Sequence, residues 1–418
     1  MQTPNRWHLV AVILLTAAAP GAVAMELALA ESLALENDPG LQALEQRVLA
    51  HKASARADGA LPDPEVFIGA QGLPVDDPLD ADMMTQYRIG FRQRLPAGDT
   101  LALRRESGNQ ETRALQARYQ ARKLEVLRQT RSAWIDWAAA RQALVIARSS
   151  RQSFEDLLEI TEARYRAGTG RQRDISQARL ELALLDERIL ERETAVDEAA
   201  SRLERWTGRT PDPGRQPQLP DWPSPPGFSR LENDLRAHPI LAELEYRQAA
   251  EESRVGLARE AYRPQWMIEA GYGHTRGNDP MSGNRQSDKL FAMVSFSLPL
   301  FTANRQDQRL ASAQAEQRAR GHDISDRLEE LRGELDRHNR LWQRRNQRLE
   351  LLERQVLVAA ENTVESTMNS YRSDRASFDE LIRARLALLD QELAAIDLRR
   401  KRLQAAVQLR YLAGETQS

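Results

Sequence analysis

The sequence predicts a mainly α protein with membrane β-hairpins: duplicated halves, each ordered as short helix, β-hairpin, long helix and return helix, forming an oligomeric β-barrel continued by an α-helical barrel. Three observations predict it. Local patterns recur about 200 residues apart, the mark of an internal duplication. Each copy carries two segments that alternate apolar and polar residues. Each copy then enters a proline-free run far longer than an ordinary globular helix, residues 100–165 and 303–371.

The elements follow in order. In residues 1–24, Arg6 is a positive n-region, Leu9 to Ala19 an apolar h-region and Ala22-Val23-Ala24 a small-x-small cleavage site, which together read as a signal peptide. The first repeat is expected over 25–208. It opens with a short helix, 26–60, with Leu27, Leu33, Leu41, Leu44 and Val48 on its apolar positions and Pro62 and Pro64 ending it. A hairpin follows over 64–96, with strands at 64–74 and 85–96 about a loop from Pro74 to Asp82. In the second strand Tyr87, Ile89 and Phe91 alternate with Arg88, Arg92 and Arg94. The long helix spans roughly 100 Å at 1.5 Å per residue. It breaks at Arg166-Ala167-Gly168-Thr169-Gly170 and returns as a shorter helix over 174–207.

A proline-rich segment, 209–228, links the halves, and the second repeat is expected over 229–418 with its hairpin at 264–299. His238-Pro239 answers Asp38-Pro39, Leu298-Pro299 answers Leu95-Pro96, and Tyr371-Arg372 answers Tyr165-Arg166. Trp266, Ile268, Ala270 and Tyr272 alternate with Met267, Glu269 and Gly271, and Leu290, Ala292, Val294 and Phe296 share one face of the next strand. The return helix is expected at 378–413.

Composition narrows the function. Charged residues are 29% of the chain and no later stretch approaches the roughly 20 apolar residues of a spanning helix, which excludes a helical-bundle membrane protein. With no cysteine, disulfides, thiolate metal sites and cysteine nucleophiles are excluded. Lys+Arg 59 against Asp+Glu 61 leaves no basic footprint for nucleic acid. No phosphate loop, nucleophile elbow or zinc-helix motif is present, so neither an enzyme nor a cofactor is expected. The six histidines lack metal-ligand spacing. Met83-Met84 cannot form a soft-metal pair, because neighbours on a strand face opposite sides. Asp76, Asp77, Asp80 and Asp82 read as a solvated loop.

Backbone groups in lipid must pair internally, so an exported chain with two hairpins has to close its sheet. Four strands are too few, since the smallest membrane barrels have about eight. Several copies must therefore share one barrel. The competing reading is a periplasmic coiled-coil or adaptor-like protein that never enters the membrane.

At this point the chain closely resembles the TolC-type outer-membrane efflux channels over its whole mature length. The resemblance rests on the duplicated plan, on Val294-Ser-Phe-Ser-Leu-Pro-Leu-Phe301 followed by Asn304-Arg305, and on Tyr165-x-x-Gly168 with Asp174-Ile175 and Ala178 beyond. Leu61-Pro-Asp-Pro64, Gly72-Leu-Pro-Val-Asp76 and Met84-Thr85 with Arg88-Ile89-Gly90 and Gln93 resemble the heavy-metal cation-efflux branch. The resemblance implies a homotrimer in outer-membrane lipid, working with a periplasmic adaptor and an inner-membrane RND-type pump, with heavy-metal cations as the expected cargo and drugs or a type I secreted polypeptide as the alternatives. It implies adaptor docking at two helical tips, Tyr165, Arg166, Ala167, Gly168, Thr169 and Gly170, then Tyr371, Arg372, Ser373, Asp374 and Arg375. Asp374 stands where the first tip has Gly168, so the second turn is expected to differ in shape. Asp174, Gln177, Glu380 and Arg383, with Asp379 as an alternative, are the expected periplasmic aperture, and Glu380 either narrows the bore or pairs with Arg383. Arg88, Arg92, Arg94 and Glu269 are expected to face the barrel lumen.

Overall fold

A computed structural model describes residues 25–75, 84–212, 216–276, 278 and 281–416. The signal-peptide reading of 1–24, the loop acids Asp76, Asp77, Asp80 and Asp82, and Met83 lie outside the described residues. Contacts divide the chain into two compact bodies: one holds residues up to Asn37 with Gln129–Trp222 and Arg345–Leu403, the other Asp38–Arg128, Pro223–Arg344 and Gln404–Ser418. Each body draws on both halves of the sequence.

The leading helix is two helices, α1 (Leu27–Asn37) and α2 (Pro39–Asp58), where the sequence suggested one. Proline disfavours helical backbone in the residue before it and is at ease in the first turn, so the chain stops at Asp38 and restarts at Pro39. Asp38 is extended (φ −74°, ψ 112°) and its carboxylate accepts the Leu41 amide at 2.8 Å, an N-cap. Strands β1 (Glu65–Gln71) and β2 (Gln86–Leu95) follow, then α3 (Thr100–Arg166), a single helix of 67 residues, and α4 (Gln172–Thr207). Beyond the linker come α5 (Phe228–Leu235), α6 (Pro239–Glu260), β3 (Trp266–Thr275) and β4 (Lys289–Phe296). The second long run is α7 (Gln306–Leu351), a five-residue π-helical stretch (Leu352–Val356) and α8 (Leu357–Arg372), before α9 (Phe378–Leu412). The strands are 7 to 10 residues long, shorter at their loop ends than expected.

The second body contains the sheet, four antiparallel strands in the order β1-β2-β3-β4. Elsewhere in that body, α5 and the start of α6 bury Leu231, Leu235 and Leu241 against Leu331, Leu335, Leu409 and Leu412. His238 caps α6 as Asp38 caps α2. Its Nδ1 accepts the Ile240 amide at 3.3 Å, so the proton sits on Nε2, which donates to the Tyr411 carbonyl at 3.2 Å. Asp38 instead meets Arg122, at 2.7 and 3.1 Å. Burial alone would raise the Asp38 carboxyl. The Arg122 hydrogen bond and the Leu41 amide outweigh it and hold the group below its ordinary value.

The first body is helix packed on helix. Trp134 donates to the Met25 carbonyl at 2.8 Å and meets Trp137 edge-on at 6.2 Å. Arg131 and Glu31, both buried, pair at 2.7 Å. Phe154, Leu157, Ala178, Leu185, Tyr371, Phe378, Leu381 and Ile382 form a core below the two tips.

Candidate channel wall and helical tips

In an antiparallel sheet, directly opposed residues point to the same side. The register therefore sorts the sheet into two faces. Ala70, Tyr87 and His274 oppose one another, then Ile68, Ile89, Tyr272 and Leu290, then Val66, Phe91, Ala270 and Ala292. The row beyond holds Gln93, Ile268 and Val294, and the last Leu95, Trp266 and Phe296. This face is nearly all apolar. It is also the exposed one: Ile68 is 80% accessible, Ile89 49% and Leu290 86%.

The other face carries Glu65, Phe67, Gln71, Arg88, Arg92, Arg94, Glu269, Lys289 and Phe291, and here the side chains cover one another. The structure brings the four candidates Arg88, Arg92, Arg94 and Glu269 to this one face. Arg92 reaches Glu269 at 3.3 Å and Glu65 at 3.8 Å, and Arg94 reaches Glu65 at 2.9 Å. Arg88 lies 3.9 Å over the Phe291 ring, and Arg92 5.5 Å from that of Phe67. The two phenyl rings, from opposite edges of the sheet, stand 6.1 Å apart. They meet because Gly90 and Gly271 oppose each other between them: a Cβ on either would lie 2.5–2.6 Å from a phenyl carbon. Phe67 and Phe291 were not singled out from sequence, where each is one apolar residue on the polar side of its strand.

Both tips belong to the first body, and their turns have the same shape, contrary to the expectation for Asp374. Gly168 has φ 74° and Asp374 φ 62°, both left-handed. Gly168 N–H bonds to Tyr165 O, and Thr169 and Gly170 N–H to Arg164 O. In the second tip Asp374 N–H bonds to Tyr371 O, and Arg375 and Ala376 N–H to Ser370 O. Identical hydrogen bonding imposes the positive φ, which aspartate tolerates better than most residues. Arg164 then links the tips: it donates to Asp374 Oδ1 at 2.6 Å and to the Tyr371 carbonyl, with its guanidinium 4.6 Å from the Tyr371 ring. Tyr371 is buried whereas Tyr165, its counterpart, is exposed. Arg166, Ala167, Thr169, Arg372, Ser373 and Arg375 are exposed, and Gly170 is half-buried. Arg164 escaped sequence analysis because only folding places it against the second tip.

The aperture candidates are only partly drawn together. Arg173 lies 3.9 Å from Asp174 and 3.6 Å from Asp379, joining the first and second return helices. Gln177 is half-buried one turn on from Asp174. Glu380 does not pair with Arg383. Its carboxylate accepts the Ser377 amide at 2.9 Å while the Ser377 hydroxyl accepts the Glu380 amide at 3.3 Å, a capping box that starts α9. Arg383 donates to the Asp379 carbonyl at 3.2 Å. The Ser377-x-x-Glu380 signature of that box is legible in the sequence.

Among the described residues, no helix is long and apolar enough to cross a membrane. The solved structures most like this chain include the channel CusC (TM-score 0.78, 18% identical, covering 94% of this chain and 92% of that one). The outer membrane protein VceC of Vibrio cholerae is similar too (TM-score 0.74, 20% identical, 93% and 96% covered). Among curated proteins, the probable efflux pump outer membrane protein SepC and the toluene efflux pump outer membrane protein TtgF, both of Pseudomonas putida, are each 26% identical over 297 residues. That match takes in 65% of this chain and 59% of each relative, so the aligned part spans about six-tenths of their length. The family model for outer membrane efflux proteins matches residues 31–209 and 231–415, nearly the whole of both halves. With the antiparallel four-stranded sheet, the long helices and this match together, the chain belongs to the outer membrane efflux protein family.

Proposed function

We propose that this protein is the outer-membrane duct of a tripartite efflux system, a homotrimer that receives cargo from an inner-membrane RND-type pump through a periplasmic adaptor. The observation that carries the reading is the inverted sheet, with apolar side chains exposed on one face and charges packed together on the other. A water-soluble sheet hides its apolar face. Lipid rewards the opposite arrangement, in which the outer wall is apolar and the inner wall polar. The order β1-β2-β3-β4 leaves β1 and β4 as edges, and an unpaired edge in hydrocarbon costs several kcal/mol per backbone group. Pairing β4 of one copy with β1 of the next removes both edges, and three copies give a 12-stranded barrel. Arg88, Arg92, Arg94 and Glu269 then line its lumen. The two repeats, 25–208 and 229–418, joined by 209–228, each supply one hairpin and one tip. The exposed tips, Tyr165 to Gly170 and Tyr371 to Arg375, meet the adaptor, and Asp174, Gln177, Asp379, Glu380 and Arg383 border the periplasmic entrance.

For cargo we infer small organic solutes. Two relatives named for efflux pumps, one of them for toluene, support this, as do the paired phenyl rings on the polar face. Heavy-metal cations are the second reading, favoured by the Leu61-Pro-Asp-Pro64 and Gly72-Leu-Pro-Val-Asp76 patterns. Deleting the gene should sensitise cells to aromatic solvents and leave tolerance to copper, zinc and cobalt salts unchanged. Selective metal sensitivity would reverse the cargo reading, and unchanged tolerance to both would refute the efflux role.

A further inference from the structure

The polar face of the sheet is layered. One cross-strand row reads Gly69, Arg88, Gly273, Lys289, the next Phe67, Gly90, Gly271, Phe291, and the third Glu65, Arg92, Glu269, Met293. The charges are not spread evenly over these layers. In the third row Arg92 and two carboxylates balance within ion-pair distance, and Arg94 adds itself to Glu65. In the first row there is no acid at all. Arg88 donates to the neutral amide of Gln71 at 2.6 Å and rests on the Phe291 ring, and its buried Nε has no partner. Neither Arg88 nor Lys289 has a carboxylate within ion-pair distance among the described residues. Glycines stand between the two cations and on the far side of Arg88, and a Cβ added to Gly69 would meet nothing within 4 Å. Gln86 lies over Gly273, where an added Cβ would meet its side chain at 2.6 Å, so the belt is open on the Gly69 side.

We propose that Arg88 and Lys289 form a cationic belt across the inner wall, a charge filter that favours anionic cargo over cations. The proposal rests on the channel reading above and goes further, to the charge class of the cargo. Each chain contributes at one level two positive charges with no ion pair among the described residues, so a trimer closes a ring of three Arg88–Lys289 pairs. Like charges ringed in a confined passage of low-dielectric wall concentrate counter-ions by about tenfold or more at low salt. Screening shortens that reach to about 3 Å at 1 M salt, so the preference must fade there. The phenyl layer beside the belt offers apolar surface at the same station. An organic anion with an aromatic or aliphatic body can touch both layers at once, whereas a hydrated divalent metal cation is repelled by the first and gains nothing from the second.

The test uses the full-length trimer reconstituted in planar bilayers under a KCl gradient, with its oligomeric state verified by native mass spectrometry. The double variant Arg88→Gln, Lys289→Gln should shift the chloride-to-potassium permeability ratio toward potassium by about threefold or more near 0.1 M salt, with little difference at 1 M. Arg88→Lys should retain the parental ratio. Lys289→Gln alone, at an exposed edge position, should give a smaller shift in the same direction, and it provides the decision if the double variant does not insert. A ratio unchanged in both variants overturns the belt while leaving the channel reading intact. Trimers that insert and never conduct overturn the channel reading itself.

Discussion

His238 and Asp38 occupy the same place in the two halves and show how one structural duty can be met by two chemistries. Each precedes a proline and caps the helix behind it with a side-chain acceptor. The carboxylate finds a cation in Arg122, while the imidazole is almost wholly buried and stays neutral. Burial is the main cause that lowers its pKa to about 4, opposed weakly by the Tyr411 carbonyl. Because the folded value lies below the ordinary 6.5, the unfolded chain takes up the proton first as pH falls. Stability from this group is full above about pH 6.5 and is lost on the way down through pH 4, by about 3 kcal/mol in all. Thermal unfolding in detergent should therefore show a clear fall in Tm from pH 7 to pH 4.5. His238→Asn keeps a capping side chain and removes the titration, so its Tm should depend less on pH over that range. Equal pH dependence in both proteins would assign the loss to other groups.

Among the elements, the second tip and the second strand carry the most testable geometry. Asp374 holds φ 62° because the hydrogen bonds of its turn demand it. A β-branched residue there meets the left-handed penalty of about 1–2 kcal/mol. Asp374→Val should lower stability by about that amount, whereas Asp374→Gly relieves the backbone, loses one exposed ion pair to Arg164, and should change stability by less than about 1 kcal/mol. Chemical denaturation of the two variants separates them, and a Val variant as stable as the Gly variant would mean that the turn is not left-handed. For the sheet, Ile89 lies on the exposed apolar face and Met267 on the polar one. Ile89→Arg should impair outer-membrane insertion, since a charge facing mid-bilayer lipid costs about 2–4 kcal/mol, while Met267→Arg should be tolerated. Fractionation of cell membranes reads the outcome, and equal effects would show the faces exchanged.

At the scale of the whole molecule, two open edges make a lone copy incompatible with lipid. The chain has no cysteine, so engineered thiols report only on the contacts they are placed to test. With Val294→Cys fixed on β4 and single cysteines scanned along β1 from Glu65 to Gln71, some pairs should oxidise to covalent trimers in native membranes. Disulfide geometry demands Cβ atoms within about 4.5 Å, so only positions in register should react. Crosslinking confined to dimers, or none at any position, would refute closure of β4 on β1 of the next copy.

How far the sequence reached depends on what each feature rests upon. Alternation in β2, the proline-free span of α3 and the recurrence of Tyr-Arg before each turn are properties of short windows. They were therefore legible, and with them the fold class, because hydrophobic periodicity and backbone restriction act between near neighbours. The break at Asp38 is legible too, since a proline at position 39 disfavours helical backbone in residue 38 and suits the first turn of a new helix. The likeness of the two turns was hidden because Asp374 differs from Gly168 in side chain but not in the hydrogen bonds that set its backbone. What no window contains is the meeting of residues far apart in the chain: Arg164 with Asp374, Arg173 with Asp379, and Phe67 with Phe291 across a glycine floor. The sequence alone thus determined the duplicated plan and the two-faced strands. Only the tertiary structure decided which charges are neutralised and which, like Arg88, have no carboxylate within ion-pair distance among the described residues, because that depends on register, and register couples strands through contacts that local patterning does not encode.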